Sequence, residues 1–124
     1  MEWMLDKGRP ISPQICEQVC LRITVGEFPA GERLPAVREI ALLARVNPNT
    51  VQKSFEMLES KGILYSRVGS GWFVSDDSLA AKNMLGELYS EKTREYFSLM
   101  NALGMTNKEI KDYVLSWNED ENLN

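Results

Sequence analysis

The sequence contains no histidine, the side chain that most often carries protons in catalysis near neutral pH. It also lacks a serine in a nucleophile-elbow pattern and the glycine pattern of a phosphate-binding loop. Without these groups, no set of acid, base and nucleophile can be assembled from the chain. We therefore expect that the protein is not an enzyme.

Cysteine occurs only twice, at Cys16 and Cys20. Two thiols without a histidine supply too few soft ligands for a structural zinc site. The two residues share one face of a predicted helix with Ile15, Val19 and Ile23, so we predict that both are small core side chains. We expect no metal and no other cofactor.

Long apolar runs are also missing. No stretch approaches the roughly 20 residues that span a bilayer, and residues 1–10 mix acids and bases without forming a secretory segment. We therefore expect a cytoplasmic protein. Its 124 residues suffice for one modest core and a small helical appendage, but not for a large catalytic domain.

The net charge of −4 is unevenly distributed. Residues 1–75 hold nine Lys or Arg against eight Asp or Glu, whereas residues 76–124 hold five against ten. Affinity for duplex DNA follows local neutralisation of phosphates, not the overall charge. The first part of the chain can therefore bind DNA if its basic groups share one face.

Apolar residues at helical spacing predict a helix over residues 12–25, capped by Ser12, and a second over residues 36–44. Proline and glycine between them predict a turn with a very short strand at residues 33–34. After another short turn, a third helix is predicted within residues 47–62. This succession is the helix-turn-helix pattern.

The third helix has clear signals at both ends. Asn47 can cap it, Pro48 suits its first position, and Gly62 suits the left-handed residue after its end. Its buried stripe is predicted to be Val51, Ser54, Phe55 and Leu58. Its opposite side carries a polar group that we call the recognition front: Asn49, Thr50, Gln52 and Lys53.

The recognition front offers amide, hydroxyl and amine groups, which match the donors and acceptors on the floor of the DNA major groove. We therefore interpret the third helix as a DNA-recognition helix. The alternative is an ordinary amphipathic helix with a solvated polar side.

Residues 63–68 are rich in β-prone side chains, residues 69–71 read Gly-Ser-Gly, and residues 72–74 return as a second strand. The pattern predicts a hairpin, or wing, with Arg67 near its tip and Trp72 in the core. Gly69 and Gly71 leave room for a phosphate or a minor groove, although turn geometry alone also accounts for them.

Residues 76–124 are predicted to form a long helix ended by Gly104 and a short one with Thr106 and Glu109 as a capping box. Their apolar stripes exceed what so small a protein can cover, which favours a dimerisation unit. The alternative is a pocket for a small effector. The residues expected at the dimer interface are Leu85, Leu88, Tyr96, Leu99, Leu103, Tyr113 and Trp117.

The expected fold is mostly α with a small β wing. A winged helix-turn-helix DNA-binding domain would occupy residues 1–75, and a two-helix dimerisation segment would occupy residues 76–124. Residues 118–124 are expected to fray as an acidic tail.

Four motifs occur in order: LPAVREIA at residues 34–41, VNPNTV at 46–51, LESKGIL at 58–64 and GSGWFV at 69–74. Through them, residues 10–75 resemble the GntR family of bacterial transcriptional regulators. The short helical tail resembles the YtrA-like branch of that family. The resemblance implies a homodimer that represses transcription from an inverted-repeat operator, often beside transporter genes.

The resemblance also implies roles for single residues. Arg38 would grip a phosphate or a base, the recognition front would face the major groove, and Arg67 with Gly69 would place the wing. Ala36 departs from the family, because a capping serine is usual there. The residues expected at DNA are Arg38, Asn47, Asn49, Thr50, Gln52, Lys53, Arg67 and Gly69.

Three alternatives stay open on sequence alone. The winged helix can serve as a protein-interaction module without specific DNA binding. Arg38 can instead form a surface salt bridge with Glu39 or Glu32. An unidentified small-molecule effector, if there is one, would use the dimer interface or the hinge at residues 75–78.

Overall fold

The computed structural model describes residues 1–118 and, over that range, contains five α-helices and one antiparallel hairpin. This architecture confirms the predicted mostly α fold with a small β wing. The chain divides into two compact units, Met1–Gly86 and a second that begins at Glu87. The elements are α1 (Ile11–Thr24), α2 (Val37–Ala44), α3 (Pro48–Ser60), β1 (Leu64–Arg67), β2 (Gly71–Val74), α4 (Ser78–Ala102) and α5 (Asn107–Ser116).

Helix α1 begins at Ile11, with Pro10 as its N-cap and without a side-chain cap. The predicted cap at Ser12 is therefore wrong. Ser12 already lies in the first turn, and its hydroxyl instead donates to the Thr50 carbonyl on α3 at 3.4 Å. The apolar side chains predicted to face inward from α1 are buried: Ile15, Cys16, Val19, Cys20 and Ile23.

Both cysteines are free thiols in this core. Burial raises the pKa of Cys16 to about 11 and that of Cys20 to about 12, so both thiols stay neutral near neutral pH. Among residues 1–118, no group of Cys, Asp and Glu side chains is arranged to hold a metal ion. The prediction that the cysteines act as core side chains is confirmed.

The N-terminal arm, residues 1–10, is held by two buried polar side chains of α1. Arg22 is only 1% exposed; its guanidinium lies 3.8 Å from the centroid of the Trp3 ring and 2.9 Å from the Glu27 carboxylate. It also donates to two carbonyls of the arm, each at 2.9 Å. Gln14 exchanges further hydrogen bonds with the backbone of the arm, so the arm is part of the first unit.

Helix α2 starts at Val37, and Ala36 is its N-cap without a side-chain hydrogen bond. It ends at Arg45, which has φ 59° and is the one residue other than glycine with positive φ in residues 1–118. The next amide donates back to the Ala41 carbonyl at 3.0 Å, and the Lys7 ammonium donates to the Arg45 carbonyl at 2.9 Å. The arm therefore braces the turn that leads into α3.

Helix α3 ends as predicted. Gly62 has φ 74°; its amide donates to the Glu59 carbonyl at 3.0 Å, and the Ile63 amide donates to the Leu58 carbonyl at 2.9 Å. This pair of bonds is a Schellman motif, which satisfies the last carbonyls of the helix. The predicted stripe is buried: Val51, Ser54, Phe55 and Leu58.

The wing pairs β1 with β2, and an isolated bridge from Arg33 to Phe73 adds the predicted short third strand. Trp72 is only half-buried. Its ring meets that of Phe55 edge-on, with 5.6 Å between centroids. The expectation of a core tryptophan is therefore corrected, because Trp72 covers the rim of the core from the wing.

Helix α4 begins at Ser78, and the Asp77 carboxylate caps it by accepting from the Leu79 amide at 3.0 Å. Ala81 and Leu85 are 1% and 7% exposed. The first unit therefore includes the early turns of α4. Among the described residues, no helix is long and apolar enough to cross a membrane.

In the second unit, α4 ends before Gly104, which has φ 99°. The capping box of α5 is confirmed, because Thr106 and Glu109 exchange both hydrogen bonds, at 3.0 and 3.2 Å. The Thr106 backbone amide, with its hydroxyl, holds the pKa of Glu109 below its usual value. Trp117 follows the end of α5 instead of continuing its stripe, and most of the expected acidic tail lies outside the described residues.

Helix α2 can be stabilised at its start. We expect Ala36→Ser to raise the free energy of unfolding by about 1 kcal/mol, because the serine oxygen would accept a first-turn amide that has no side-chain partner. The extended backbone of Ala36, with φ −61° and ψ 150°, already suits a capping residue. Urea unfolding measures the gain. Ala36→Val adds bulk without an acceptor, and an equal gain from valine would contradict the capping explanation.

Candidate nucleic-acid interface

The start of α3 is held by Asn47. Its side-chain oxygen accepts a hydrogen bond from the Asn49 amide at 2.8 Å, and its carbonyl accepts from the Thr50 amide at 3.0 Å. Pro48 occupies the first helical position, where no amide hydrogen is needed. The capping prediction is confirmed, and this side-chain oxygen is committed to the helix.

The recognition front lies at the surface of the first unit. Asn49 and Lys53 are exposed, and Thr50 and Gln52 are half-buried. The Gln52 amide donates to the Glu56 carboxylate, one turn later, at 3.1 Å. This bond uses one N–H of the amide, so the second N–H and the carbonyl oxygen of Gln52 remain for a base edge.

Contacts between α1 and α3 fix which side of α3 faces outward. Ser54 is fully buried, and its hydroxyl lies 2.9 Å from the Thr50 carbonyl and 3.0 Å from the Ser12 carbonyl. The Cys16 thiol donates to the Ser54 carbonyl at 3.4 Å. These bonds hold the inner side of α3 against α1, which leaves the recognition front free.

Arg38 is an exposed residue in the first turn of α2. It lines a small cleft of about 250 Å³ together with Pro48, so it lies beside the start of α3. Within residues 1–118, no carboxylate lies within ion-pair distance of Arg38, and the alternative salt bridge to Glu39 or Glu32 does not form. Its guanidinium is available to an anion.

The wing carries the remaining predicted contacts. Gly69 is exposed and has φ 77°, a conformation that favours glycine whatever the residue binds. Arg67 pairs across the hairpin with Gly71. Its guanidinium lies 5.1 Å from the centroid of the Phe73 ring and 5.5 Å from that of Tyr65, so two aromatic rings support an exposed cation.

Residues 11–74 match the profile of the bacterial regulatory proteins of the gntR family. The chain is also 30% identical over 119 residues to the uncharacterised transcriptional regulator YhcF of Bacillus subtilis, covering 96% of this chain and 98% of YhcF. This chain belongs to the GntR family. Members of the family are bacterial transcriptional regulators, and the matched segment is their winged helix-turn-helix DNA-binding domain.

Further GntR proteins resemble this chain. The transcriptional repressor YtrA of Bacillus subtilis is 38% identical over 69 residues, which cover 56% of this chain and 53% of YtrA. A solved GntR regulator from Listeria monocytogenes superposes with a TM-score of 0.78 at 29% identity, covering 92% of this chain and all of that one. The DNA-binding domain of AraR, solved in complex with operator ORE1, gives 0.52 at 27% identity over 60% of this chain and 94% of its own.

The second unit of this GntR chain exposes most of the side chains expected at a dimer interface. Tyr96, Leu99, Leu103, Tyr113 and Trp117 are 39%, 68%, 80%, 44% and 42% exposed. The other two expected residues differ, because Leu88 is half-buried and Leu85 is buried. Leu85 is thus already covered within the single chain, and the interface role of all seven residues stays a prediction.

Sequence reasoning assigned Arg33 only to a short strand. The structure places its exposed side chain over the wing, with Nε 3.2 Å from where a Cβ on Gly71 would lie. The signal that locates Arg33 is its pairing with Phe73. That pairing depends on strand register, which the sequence of an isolated pair of residues does not reveal.

At the start of α3, the side chain of Asn47 caps the helix, whereas that of Asn49 is exposed and is a candidate for contact with DNA. We expect Asn47→Ala to lower the free energy of unfolding by about 1 kcal/mol, since the first turn loses its side-chain acceptor, and Asn47→Asp to keep most of it. Asn49→Ala is the matched control, because the side chain of Asn49 is exposed and its stability effect should be small. Urea unfolding distinguishes the two, and equal losses would contradict the assignment.

Proposed function

We propose that the protein is a homodimeric transcriptional repressor that binds an inverted-repeat operator in the cytoplasm through α3 and the wing. The observation that carries the proposal is the outward recognition front at the capped start of α3. A major groove admits such a helix, and the polar groups of its first turns reach base edges.

Phosphate contacts would position this helix. Arg38 lies beside the start of α3, and Arg67 lies on the wing. One arginine therefore precedes the recognition front in the sequence, and the other follows it. Phosphate contacts supply most of the affinity without reading sequence, whereas base contacts supply the specificity. We therefore assign Arg38 and Arg67 to affinity, and Asn49, Gln52 and Lys53 to specificity.

The rival reading, a winged helix that binds a protein and not DNA, would be favoured by a recognition front covered by the chain itself. The exposure of Asn49 and Lys53 supports the DNA reading instead. The solved complex of the AraR domain with its operator supports it further. We propose repression because the chain is similar to YtrA, which is a repressor. The bound protein would block transcription if its operator overlaps the promoter.

The proposed dimer rests on exposed apolar side chains of the second unit. Tyr96 and Phe97 of α4, with Tyr113 and Trp117 from α5 and its end, line a groove of about 510 Å³. Leu99 and Leu103 add further exposed apolar surface. Exposed apolar side chains grouped in this way favour association with a second copy of the chain. Two copies related by a two-fold axis match the two halves of an inverted repeat.

Substitutions of Arg38 and of Asn49 should change DNA binding in different ways. We expect Arg38→Ala to weaken binding to operator and to random duplex by the same factor, and to reduce the slope of log K against log salt by about 0.9. Asn49→Ala should instead lose about 1–3 kcal/mol of discrimination at one base pair. The operator is first selected from a random pool, and binding is followed by fluorescence anisotropy over a salt series.

Lys61→Ala is the control for these two variants, because Lys61 is exposed at the far end of α3. Its affinity and salt slope should equal those of the wild type. The proposed function is wrong if the wild-type protein selects no sequence from the pool and binds all duplexes equally.

The dimer is tested at Leu99. We expect Leu99→Glu to produce a monomer, because a carboxylate would be desolvated in the interface, and to weaken operator binding as the two half-sites lose their linkage. Val25→Glu is the matched control, since Val25 is 56% exposed in the first unit. Sedimentation velocity over a range of concentrations measures both, and a wild-type monomer at micromolar concentration would contradict the dimer.

A further inference from the structure

The outer face of the wing carries two arginines. Residues directly opposite each other in an antiparallel pair project to the same face of a sheet. Tyr65 is opposite Phe73, Arg67 is opposite Gly71, and the bridge places Arg33 opposite Phe73 on its other side. Arg33, Tyr65, Arg67 and Phe73 therefore share one face of the wing, with Gly71 as its residue without a side chain.

The other face of the wing points into the first unit. Leu64 and Val74 are 2% and 1% exposed, and Trp72 packs against Phe55. The face with the arginines is consequently the outer one. Arg33 and Arg67 are both exposed.

Gly71 lies under the Arg33 side chain and opposite Arg67 in the hairpin. A Cβ on Gly71 would lie 3.2 Å from Nε and 3.5 Å from Nη2 of Arg33, so the Arg33 guanidinium lies directly over this glycine. Arg67 is the cross-strand partner of the same glycine, and its guanidinium lies 5.1 Å from the centroid of the neighbouring Phe73 ring. The Arg33 guanidinium therefore covers Gly71, and Arg67 extends from the strand position opposite the same glycine.

No carboxylate neutralises these two arginines. Within residues 1–118, neither Arg33 nor Arg67 has an acidic partner within ion-pair distance. Glu32 lines a cleft together with Arg33, Glu27 and Glu39, but none of these carboxylates lies within ion-pair distance of Arg33. Two like charges held on one face repel each other, and an anion between them relieves that repulsion.

We propose that Arg33 and Arg67 together grip one phosphate of the DNA backbone over Gly71. Arginine presents a planar fork of donors that matches phosphate oxygens, and the missing side chain of Gly71 leaves room for the Arg33 guanidinium on the face that also carries Arg67. Arg33 is then a DNA-contact residue contributed by the short strand before α2. This inference rests on the proposed function and adds a contact outside the recognition helix and the turn of the wing.

A double-mutant cycle tests the shared grip. Arg33→Gln, Arg67→Gln and the double variant are compared with wild type for binding to the selected operator over a salt series. If one phosphate is held by both arginines, either cation alone still neutralises it, so each single variant should lower the affinity but keep most of the slope of log K against log salt, and only the double variant should lose about 0.9 of the slope. Arg33→Lys combined with Arg67→Gln should keep the slope that the double variant loses, because the slope counts neutralised phosphates.

Two controls keep the result interpretable. Lys61→Gln removes a cation from the far end of α3 and should leave the slope unchanged. The thermal unfolding midpoint of Arg33→Gln should equal that of wild type, because the side chain of Arg33 is exposed and the bridge of this residue uses its backbone.

The outcomes separate this inference from the proposed function. If wild type binds its operator specifically but Arg33→Gln keeps the full affinity and slope, the role of Arg33 is wrong and the repressor proposal stands. If each single variant already loses slope and these losses add in the double variant, the arginines hold separate phosphates and the shared grip is wrong. If wild type shows no preference for any duplex, both proposals fall.

Discussion

The orientation of α3 depends on the contact between its buried side and α1. Val51, Phe55 and Leu58 are fully buried on that side, and the hydroxyl of Ser54 lies within hydrogen-bonding distance of the Thr50 carbonyl in its own helix and of the Ser12 carbonyl on α1. One hydroxyl hydrogen serves one of these carbonyls at a time, and the Ser12 hydroxyl and the Cys16 thiol donate in turn to the carbonyls of Thr50 and Ser54. A rotation of α3 would expose apolar side chains and break these bonds between the helices, so the recognition front faces outward because the opposite side of α3 is fixed.

The sequence predicted those features that short-range chemistry decides. Asn47 before Pro48 marks a helix start, and Gly62 marks the end of the same helix, because each signal acts within a few residues of its own position. Thr106 and Glu109 form a capping box for the same reason. A helix-turn-helix with a wing is mostly a succession of such local signals, so its fold and its recognition front could be read from the chain.

The features that escaped depend on contacts between distant parts of the chain. Arg22 looks like a surface residue in the sequence, but the arm supplies an aromatic ring and two carbonyls that allow its burial. Ser12 has the chemistry of a cap, yet the chain enters α1 earlier, at Ile11. Arg33 reaches the wing face only through its pairing with Phe73. Sequence periodicity within one element contains none of this information.

The two units differ in how completely each buries its own side chains. Within the described residues, no buried side-chain nitrogen or oxygen lacks a partner, and the first unit has a continuous core. From Glu87 onward, the described residues bury a single apolar side chain completely, Ile110. The apolar side chains that this unit leaves exposed, Leu99 and Leu103 among them, would be covered in the proposed dimer. Any molecule that competes for Leu99 and Leu103 would then release the operator without touching α3.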